Sequence, residues 1–304
     1  GLRMIEPYQE GKIPIVFVHG LLSDRATWVD LANDLRSSPW FNRHFQVWFF
    51  QYETGQPYIT SALQMRQALK EAVAFCDSDG SDPAMQQMVL VGHSMGGLVS
   101  KLQITTSGTD LWDSIAIIPA DQIRTSEQKH QQIRELFFFE PLPFVKRVVF
   151  IGSPHQGSSL ATSWIGKLGS ALVHPSRERA KSTKTILADN PGVFVKDITR
   201  HVPTSVDLLR PDNPLLMATY TLPVHPEVSL HTIIGTGRPL RDGTPADGVV
   251  PVESAKHPGT TSERLIDTTH TKLPDHHETT DEIVRILGEH VRVFEQPSVA
   301  GRPR

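Results

Sequence analysis

Short apolar runs that alternate with helix-like segments constrain the fold of this chain more than any other feature of its sequence. Two runs, KIPIVFVHG at 12–20 and FQVWFFQY at 45–52, are separated by apolar residues at helical spacing. A third run, MVLVG at 88–92, follows the amphipathic segment 61–75. Apolar runs without polar alternation are typical of strands buried on both faces. Because strands and helices alternate, we predict an α/β fold with a mostly parallel, doubly wound sheet.

The second half of the chain is predicted to complete the same sheet. Its predicted elements are a strand at 148–151, a strand at 228–235, a strand at 263–268 and a closing helix at 280–294. The segment 160–226 shows no regular alternation and contains several prolines. A structureless loop of that length is improbable in a compact domain. We therefore predict one domain over 1–304, with a lid or cap inserted at 160–226.

The stretch VLVGHSMGGLVS at 89–100 places Ser94 between glycines, where a predicted strand meets a helix. The spacing Gly92-x-Ser94-x-Gly96 fits the nucleophile elbow, a sharp turn that exposes the serine hydroxyl and needs small neighbours. A serine hydroxyl is a poor nucleophile at neutral pH, so it also needs an imidazole base, a group that fixes the imidazole tautomer, and oxyanion donors. The alternative is a small residue at a helix start with no chemical role.

Candidates for these partners follow the other predicted strands. In an open parallel sheet, ligand-binding loops lie beyond the carboxyl ends of the strands. His19-Gly20-Leu21 follows the first strong strand, Asp247 in PADGVVP follows the strand at 228–235, and His270 follows the last strand. The chain order Ser, Asp, His is that of the α/β-hydrolase fold.

Four motifs together carry a family resemblance: PIVFVHGLLS, VGHSMGGL, VFIGSPHQGS and DGVVP. With them the chain resembles α/β-hydrolases of the bacterial lipase and esterase type, and is similar to the PGAP1-like and lecithin-cholesterol acyltransferase-like group. The resemblance implies an α/β-hydrolase fold with Ser94 as nucleophile, His270 as base and Asp247 as the residue that orients the base. It also implies an oxyanion hole formed by the amides of Leu21 and Met95, and an architectural role for GSPHQGS beside the site.

Two of these assignments have rivals in the sequence. Asp242 competes with Asp247, because the Asp-Gly pair of the latter is also common in simple turns. His276 and His277 compete with His270 within a few residues. They lie nearer the final helix, so we expect their imidazoles to face solvent and assign the base to His270.

Composition excludes several classes of partner. Charged residues make up 21% of the 304 residues and the net charge is −3, so we expect no nucleic acid partner. The single Cys76 allows no internal disulfide or cysteine-based metal site. Of the 14 histidines, we expect His19 to be structural and His93 only to line the site. Their spacing requires no metal, and no cofactor is implied.

We therefore predict a serine esterase or lipase that acts through an acyl-enzyme on a small-molecule, lipid-like or polymeric ester. Two alternatives stay open: an acyltransferase with the same triad, and a binding protein that has lost turnover. Apolar residues of the predicted lid favour lipid-like or polymeric esters, with packing of the lid onto the core as the alternative role of this cluster: Trp164, Ile165, Leu168, Leu172 and Val173. The sequence contains no apolar run long enough for a transmembrane segment. A signal peptide removed before Gly1 stays an alternative, and neither compartment nor oligomeric state is assigned.

Overall fold

The computed structural model of the chain describes residues 1–21, 23–159, 177–195 and 204–295. The strands are β1 Leu2–Met4, β2 Ile13–Val18, β3 Phe45–Phe50, β4 Met88–His93, β5 Val145–Ile151, β6 Ser229–Gly235 and β7 Ser262–Ile266. The first helices are α1 Val29–Arg36, α2 Pro39–His44, α3 Tyr58–Cys76, α4 Met95–Lys101, α5 Asp110–Asp113 and α6 Glu127–Phe137. The later ones are α7 Arg177–Asp189, α8 Pro214–Thr221, α9 Val252–Ala255 and α10 His277–Glu295.

The described strands form one sheet in the order β1-β3-β2-β4-β5-β6-β7. All neighbouring pairs are parallel except β1 and β3, which are antiparallel. In β2, Val16 and Val18 belong to one buried cluster, whereas Ile15 and Phe17 belong to another. Successive side chains of a strand point to opposite faces, so this alternation shows that both faces of the sheet are covered. The predicted doubly wound sheet is thus confirmed.

Helices on both faces of the sheet build the core. On one face α3 and α4 pack over the strands. Of the residues predicted to share one face of the amphipathic segment 61–75, Ala62, Met65 and Leu69 are buried, and Val73 is partly buried against the same cluster. On the other face α10 contributes Ile283 and Leu287. Each large aliphatic side chain buried in this way contributes about 1.5–3 kcal/mol to stability. None of the helices in the described part of the chain combines the length and the hydropathy needed to cross a bilayer.

Element boundaries differ from the sequence prediction at several places. The short edge strand β1 was not predicted, because three residues are too few for a periodic pattern. Strand β5 begins at Val145, three residues before the predicted start, and includes the buried Arg147. Strand β7 ends at Ile266, and α10 begins at His277 instead of at 280.

The predicted lid at 160–226 stays a prediction. Residues 160–176 and 196–203 lie outside the described residues, and with them the five apolar lid residues named above. Within the range, α7 spans Arg177–Asp189. Helix α8 packs into the main core, where Leu215 and Leu216 are buried together with residues of α3 and α4.

Candidate active site

Ser94 occupies the sharp turn between β4 and α4. Its backbone has φ 53° and ψ −126°, and among the described residues no other non-glycine residue has a positive φ. A backbone conformation this rarely populated costs on the order of 1–3 kcal/mol and persists only where the surroundings impose it. The amide of Ser94 donates to the carbonyl of Ile151 in β5 (2.8 Å), which fixes the turn to the neighbouring strand.

The flanking glycines make this turn possible. A Cβ atom added at Gly92 would lie 2.6 Å from the carbonyl oxygen of Gly96, and one added at Gly96 would lie 2.5 Å from that of His19. Both distances are shorter than van der Waals contact, so only glycine allows α4 to approach β4 and the end of β2 this closely. The predicted reason for the Gly-x-Ser-x-Gly spacing therefore holds in the structure.

A continuous hydrogen-bonded chain joins Ser94 to a histidine and a carboxylate. The distance from Ser94 Oγ to His270 Nε2 is 3.0 Å, and that from His270 Nδ1 to Asp247 Oδ2 is 2.7 Å. The side chains of His270 and Asp247 are only 2% and 1% exposed. The structure thus brings together the three predicted residues, which come from the loops after β4, β6 and β7.

Asp247 is held by its own backbone surroundings. Its Oδ1 accepts hydrogen bonds from the amides of Val249 (2.9 Å) and Val250 (2.7 Å). Its Oδ2 faces His270, while its carbonyl oxygen accepts from the His270 amide (2.9 Å). Each carboxylate oxygen therefore has a partner, and the DGVVP turn aims one of them at the imidazole.

The rival residues lie elsewhere. Asp242 is on an exposed turn, where its carboxylate accepts from the amide of Thr244 (3.0 Å). This hydrogen bond lowers the pKa of Asp242 below the ordinary value. His277 is exposed at the start of α10, and the ring of the half-buried His276 contacts it with a centroid distance of 4.6 Å. Neither histidine takes part in the chain from Ser94 to Asp247.

The predicted oxyanion donors belong to segments that adjoin the elbow. Met95 is the first residue of α4, and Leu21 follows a glycine whose added Cβ would lie only 2.9 Å from Ser94 Cβ. Among the described residues, no backbone hydrogen bond is found from the Leu21 amide, or from the Met95 amide to a carbonyl outside α4. Their role as oxyanion donors stays a prediction.

His19 fixes the turn before Leu21. Its Nδ1–H donates to the carbonyl of Gly20 (3.0 Å), and its Nε2 accepts from the amide of Tyr52 (3.2 Å). The Tyr52 hydroxyl in turn donates to the carbonyl of His19 (2.7 Å). Burial lowers the pKa of His19 and raises that of Tyr52, so both side chains are neutral at pH 7. The expected structural role of His19 agrees with these contacts.

A separate set of possible metal ligands lies at the start of α10. Donor atoms of His276, His277 and Glu278 are within 4.8 Å of one another. Glu278 also forms an ion pair with Arg264, so a cation here would compete with an existing interaction. The set is distinct from the hydrogen-bonded chain at Ser94.

One contact at the site has no signature in the sequence. His93, expected only to line it, donates from Nε2 to the backbone carbonyl of His270 (3.1 Å). The two residues are 177 positions apart, so no local pattern could have indicated this contact. Burial and, next, the charge of a protonated His270 hold the pKa of His93 well below its ordinary value.

Comparisons with known proteins agree with this architecture. Residues 9–118 match the sequence profile of a family described as "PGAP1-like alpha/beta domain". The match includes β2, β3, β4 and Ser94, while Asp247 and His270 lie beyond it. No curated protein sequence matches the chain.

Similar solved structures cover nearly the whole chain. Staphylococcus hyicus lipase has a TM-score of 0.57 at 14% identity, over 96% of this chain and 99% of that one. EstA from Clostridium botulinum has a TM-score of 0.56 at 14% identity, over 93% and 88%. Bacillus licheniformis lipase BlEst2 in its mature form has a TM-score of 0.54 at 17% identity, over 94% and 98%. At such identities the likeness shows a shared fold, which is the α/β-hydrolase fold predicted from the motifs.

Proposed function

We propose that this α/β-hydrolase, whose residues 9–118 match the PGAP1-like domain, cleaves carboxylic esters through an acyl-enzyme intermediate. The observation that carries the proposal is the hydrogen-bonded chain from Ser94 Oγ through His270 to Asp247, with hydrogen bonds of 3.0 and 2.7 Å. Such a chain activates a serine hydroxyl, because the imidazole accepts the proton that the hydroxyl loses as it attacks.

In the proposed reaction Ser94 Oγ attacks the ester carbonyl carbon while its proton moves to His270 Nε2. The carbonyl oxygen becomes an oxyanion, which the amides of Leu21 and Met95 stabilise as hydrogen-bond donors. Collapse of the tetrahedral intermediate breaks the ester bond, and the alcohol leaves with the proton from His270. Water then attacks the acylated serine by the same route, and the carboxylic acid and free Ser94 are released.

Asp247 has two functions in this scheme. Its carboxylate fixes the tautomer of His270, because Oδ2 accepts from Nδ1–H and leaves Nε2 free to accept from Ser94. It also stabilises the imidazolium that forms during the attack. The side chains of both residues are almost fully buried, so their electrostatic interaction is weakly screened by solvent.

We further propose a lipid-like or polymeric ester as the substrate class. Support comes from lipases that share the fold, those from Staphylococcus hyicus and Bacillus licheniformis. A panel of p-nitrophenyl esters from acetate to palmitate measures the preferred acyl length. Identifying the product as free acid or as a new ester, with an alcohol present, separates hydrolysis from acyl transfer.

Active-site labelling tests the proposed mechanism. A fluorophosphonate should modify Ser94, as located by mass spectrometry, and Ser94→Ala should abolish both labelling and turnover. The matched control is Ser126→Ala, which removes an exposed hydroxyl from the N-terminal cap of α6 and should leave both unchanged. Labelling at another residue, or an unlabelled wild-type protein, would rule out Ser94 as nucleophile.

A further inference from the structure

His93 precedes the proposed nucleophile and contacts the proposed base, without belonging to the hydrogen-bonded chain that joins them. It immediately precedes Ser94 and is only 5% exposed. Its Nε2 is 3.1 Å from the carbonyl oxygen of His270, and the centroids of the two rings are 4.8 Å apart. The ring also meets Trp28 edge-on, with a centroid distance of 6.4 Å.

The acceptor determines the tautomer of His93. A carbonyl oxygen can only accept, so Nε2 must carry a hydrogen, and in the neutral ring Nδ1 is the unprotonated nitrogen. Nδ1 is buried and has no hydrogen-bond partner among the described residues. A second proton would have to sit on this nitrogen, beside a base that becomes positively charged during the reaction. The buried site therefore keeps His93 neutral, in agreement with the lowered pKa.

The hydrogen bond from His93 adds a second anchor to the His270 backbone. The amide of His270 donates to the carbonyl of Asp247 (2.9 Å), and its carbonyl accepts from His93 (3.1 Å). Both peptide groups that flank the His270 Cα are thus tied to other parts of the site. Asp247 fixes the far side of the imidazole, so the ring has little freedom to move away from Ser94.

We infer that His93 is a positioning residue, whose Nε2–H holds the His270 backbone so that Nε2 of the base stays in hydrogen-bonding distance of Ser94. This inference rests on the proposed function. A displacement of about 1 Å in a reacting group can cost about 100-fold in rate, so one anchoring hydrogen bond is enough to matter. Substrate binding does not depend on it, so the effect should fall on kcat and not on KM.

Three substitutions separate positioning from simple packing. His93→Phe keeps an aromatic ring against Trp28 but removes the donor. His93→Gln places an amide NH2 at the position of the imidazole Nε2, since both nitrogens are three bonds from Cβ. His93→Asn places its NH2 at the position of Nδ1, which is the side away from the His270 carbonyl. A packing role predicts that Phe is the best replacement, whereas the positioning role predicts that Gln is.

The experiment measures kcat and KM for p-nitrophenyl butyrate, the rate constant of fluorophosphonate labelling, and Tm for each variant. We expect His93→Phe and His93→Asn to lower kcat and the labelling rate constant by about 10- to 100-fold, with KM changed less than about twofold. His93→Gln should recover most of the loss. The Tm of His93→Gln should stay within a few degrees of wild type, which keeps the test valid if another variant does not fold.

Two results would overturn the inference while leaving the proposed function intact. In the first, the wild-type protein is labelled at Ser94 and the His93→Phe variant has the same kcat as the wild type. The other is a folded His93→Gln variant that loses as much kcat as His93→Phe. A wild-type protein that shows neither labelling nor turnover overturns the proposed function itself, so the two failures can be told apart.

Discussion

Replacing Asp247 by asparagine tests the proposed tautomer control directly. In the wild type, Oδ1 of Asp247 accepts from the amides of Val249 and Val250, and Oδ2 accepts from His270 Nδ1–H. Asparagine has one oxygen and one NH2 group for these two positions. If the oxygen stays with the two amides, the NH2 group faces His270, so Nδ1 must accept and Nε2 must carry the hydrogen. Nε2 can then no longer accept the proton of Ser94.

The opposite orientation of the asparagine is unfavourable. It would restore an acceptor for His270 Nδ1–H but turn the NH2 group toward the amides of Val249 and Val250. Each buried amide left without an acceptor costs about 1–3 kcal/mol, so the two together cost about 2–6 kcal/mol. The inactive tautomer is therefore the favoured one. In a comparable triad the same substitution lowers kcat by about 10⁴, which corresponds to about 5.4 kcal/mol in activation free energy.

The assay compares kcat and Tm of Asp247→Asn with those of the wild type on one p-nitrophenyl ester. We expect a loss of about 10⁴ in kcat with little change in Tm, because both backbone hydrogen bonds to the side chain are kept. The matched control is Asp242→Asn, an exposed aspartate in the same loop whose replacement should change stability by less than about 0.5 kcal/mol. A folded Asp247→Asn variant within tenfold of wild-type kcat would exclude tautomer control by Asp247, and a loss confined to Asp242→Asn would assign that role to Asp242.

Two further predictions concern stability. Gly97→Ala would place a Cβ atom 2.7 Å from Ser153 Cβ. We therefore expect the free energy of unfolding, measured by urea denaturation, to fall by about 1–3 kcal/mol. The control is Gly288→Ala in α10, where an added Cβ would have no atom within 4 Å. This substitution should raise the free energy of unfolding by up to about 1 kcal/mol, and an equal effect of both substitutions would contradict the proposed clash at Gly97. Burial, and then the charge of Arg147, lower the pKa of His290 from 6.5 to about 4. Since the unfolded chain binds this proton below pH 6.5 and the folded protein does not, the free energy of unfolding should rise from pH 4 to 6.5. The slope is at most about 1.4 kcal/mol per pH unit for this group. His290→Gln keeps both an acceptor for Arg147 and a donor, so it should reduce the slope, as pH-dependent urea denaturation would show, and an unchanged slope would exclude His290 as the source.

The parts of the fold that could be predicted are those with local causes. The turn at Ser94 depends on glycines two residues away on each side, so its spacing is visible in the sequence. Strand β2 could be recognised because both of its faces are apolar. The candidate residues Asp247 and His270 could be proposed because they follow strands, which requires only the order of the elements.

The start of β5 could not be predicted because it depends on the tertiary contacts of a buried charged residue. Arg147 interrupts the apolar run, yet it is only 5% exposed. Its guanidinium contacts the rings of His231 in β6 and His290 in α10, and the latter donates to the carbonyl of Gln87 (2.7 Å). These partners come from distant parts of the chain, so a charged residue in a central strand looks like a strand boundary in the sequence. The contact between His93 and the His270 backbone escaped prediction for the same reason.

Close backbone approaches complete the proposed site. Gly152, which directly follows β5, has a φ of 55°, and a Cβ added there would lie 3.3 Å from both Asp247 Oδ2 and His270 Nδ1. A Cβ added at Gly235, the last residue of β6, would lie 2.7 Å from Asp247 Cβ. The hydrogen bond between Asp247 and His270 thus lies against bare backbone at the ends of two neighbouring strands. A side chain at Gly235 would displace Asp247, and one at Gly152 would crowd both the carboxylate and the imidazole. The geometry at Ser94 therefore depends on glycines that lie outside the hydrogen-bonded chain from Ser94 to Asp247.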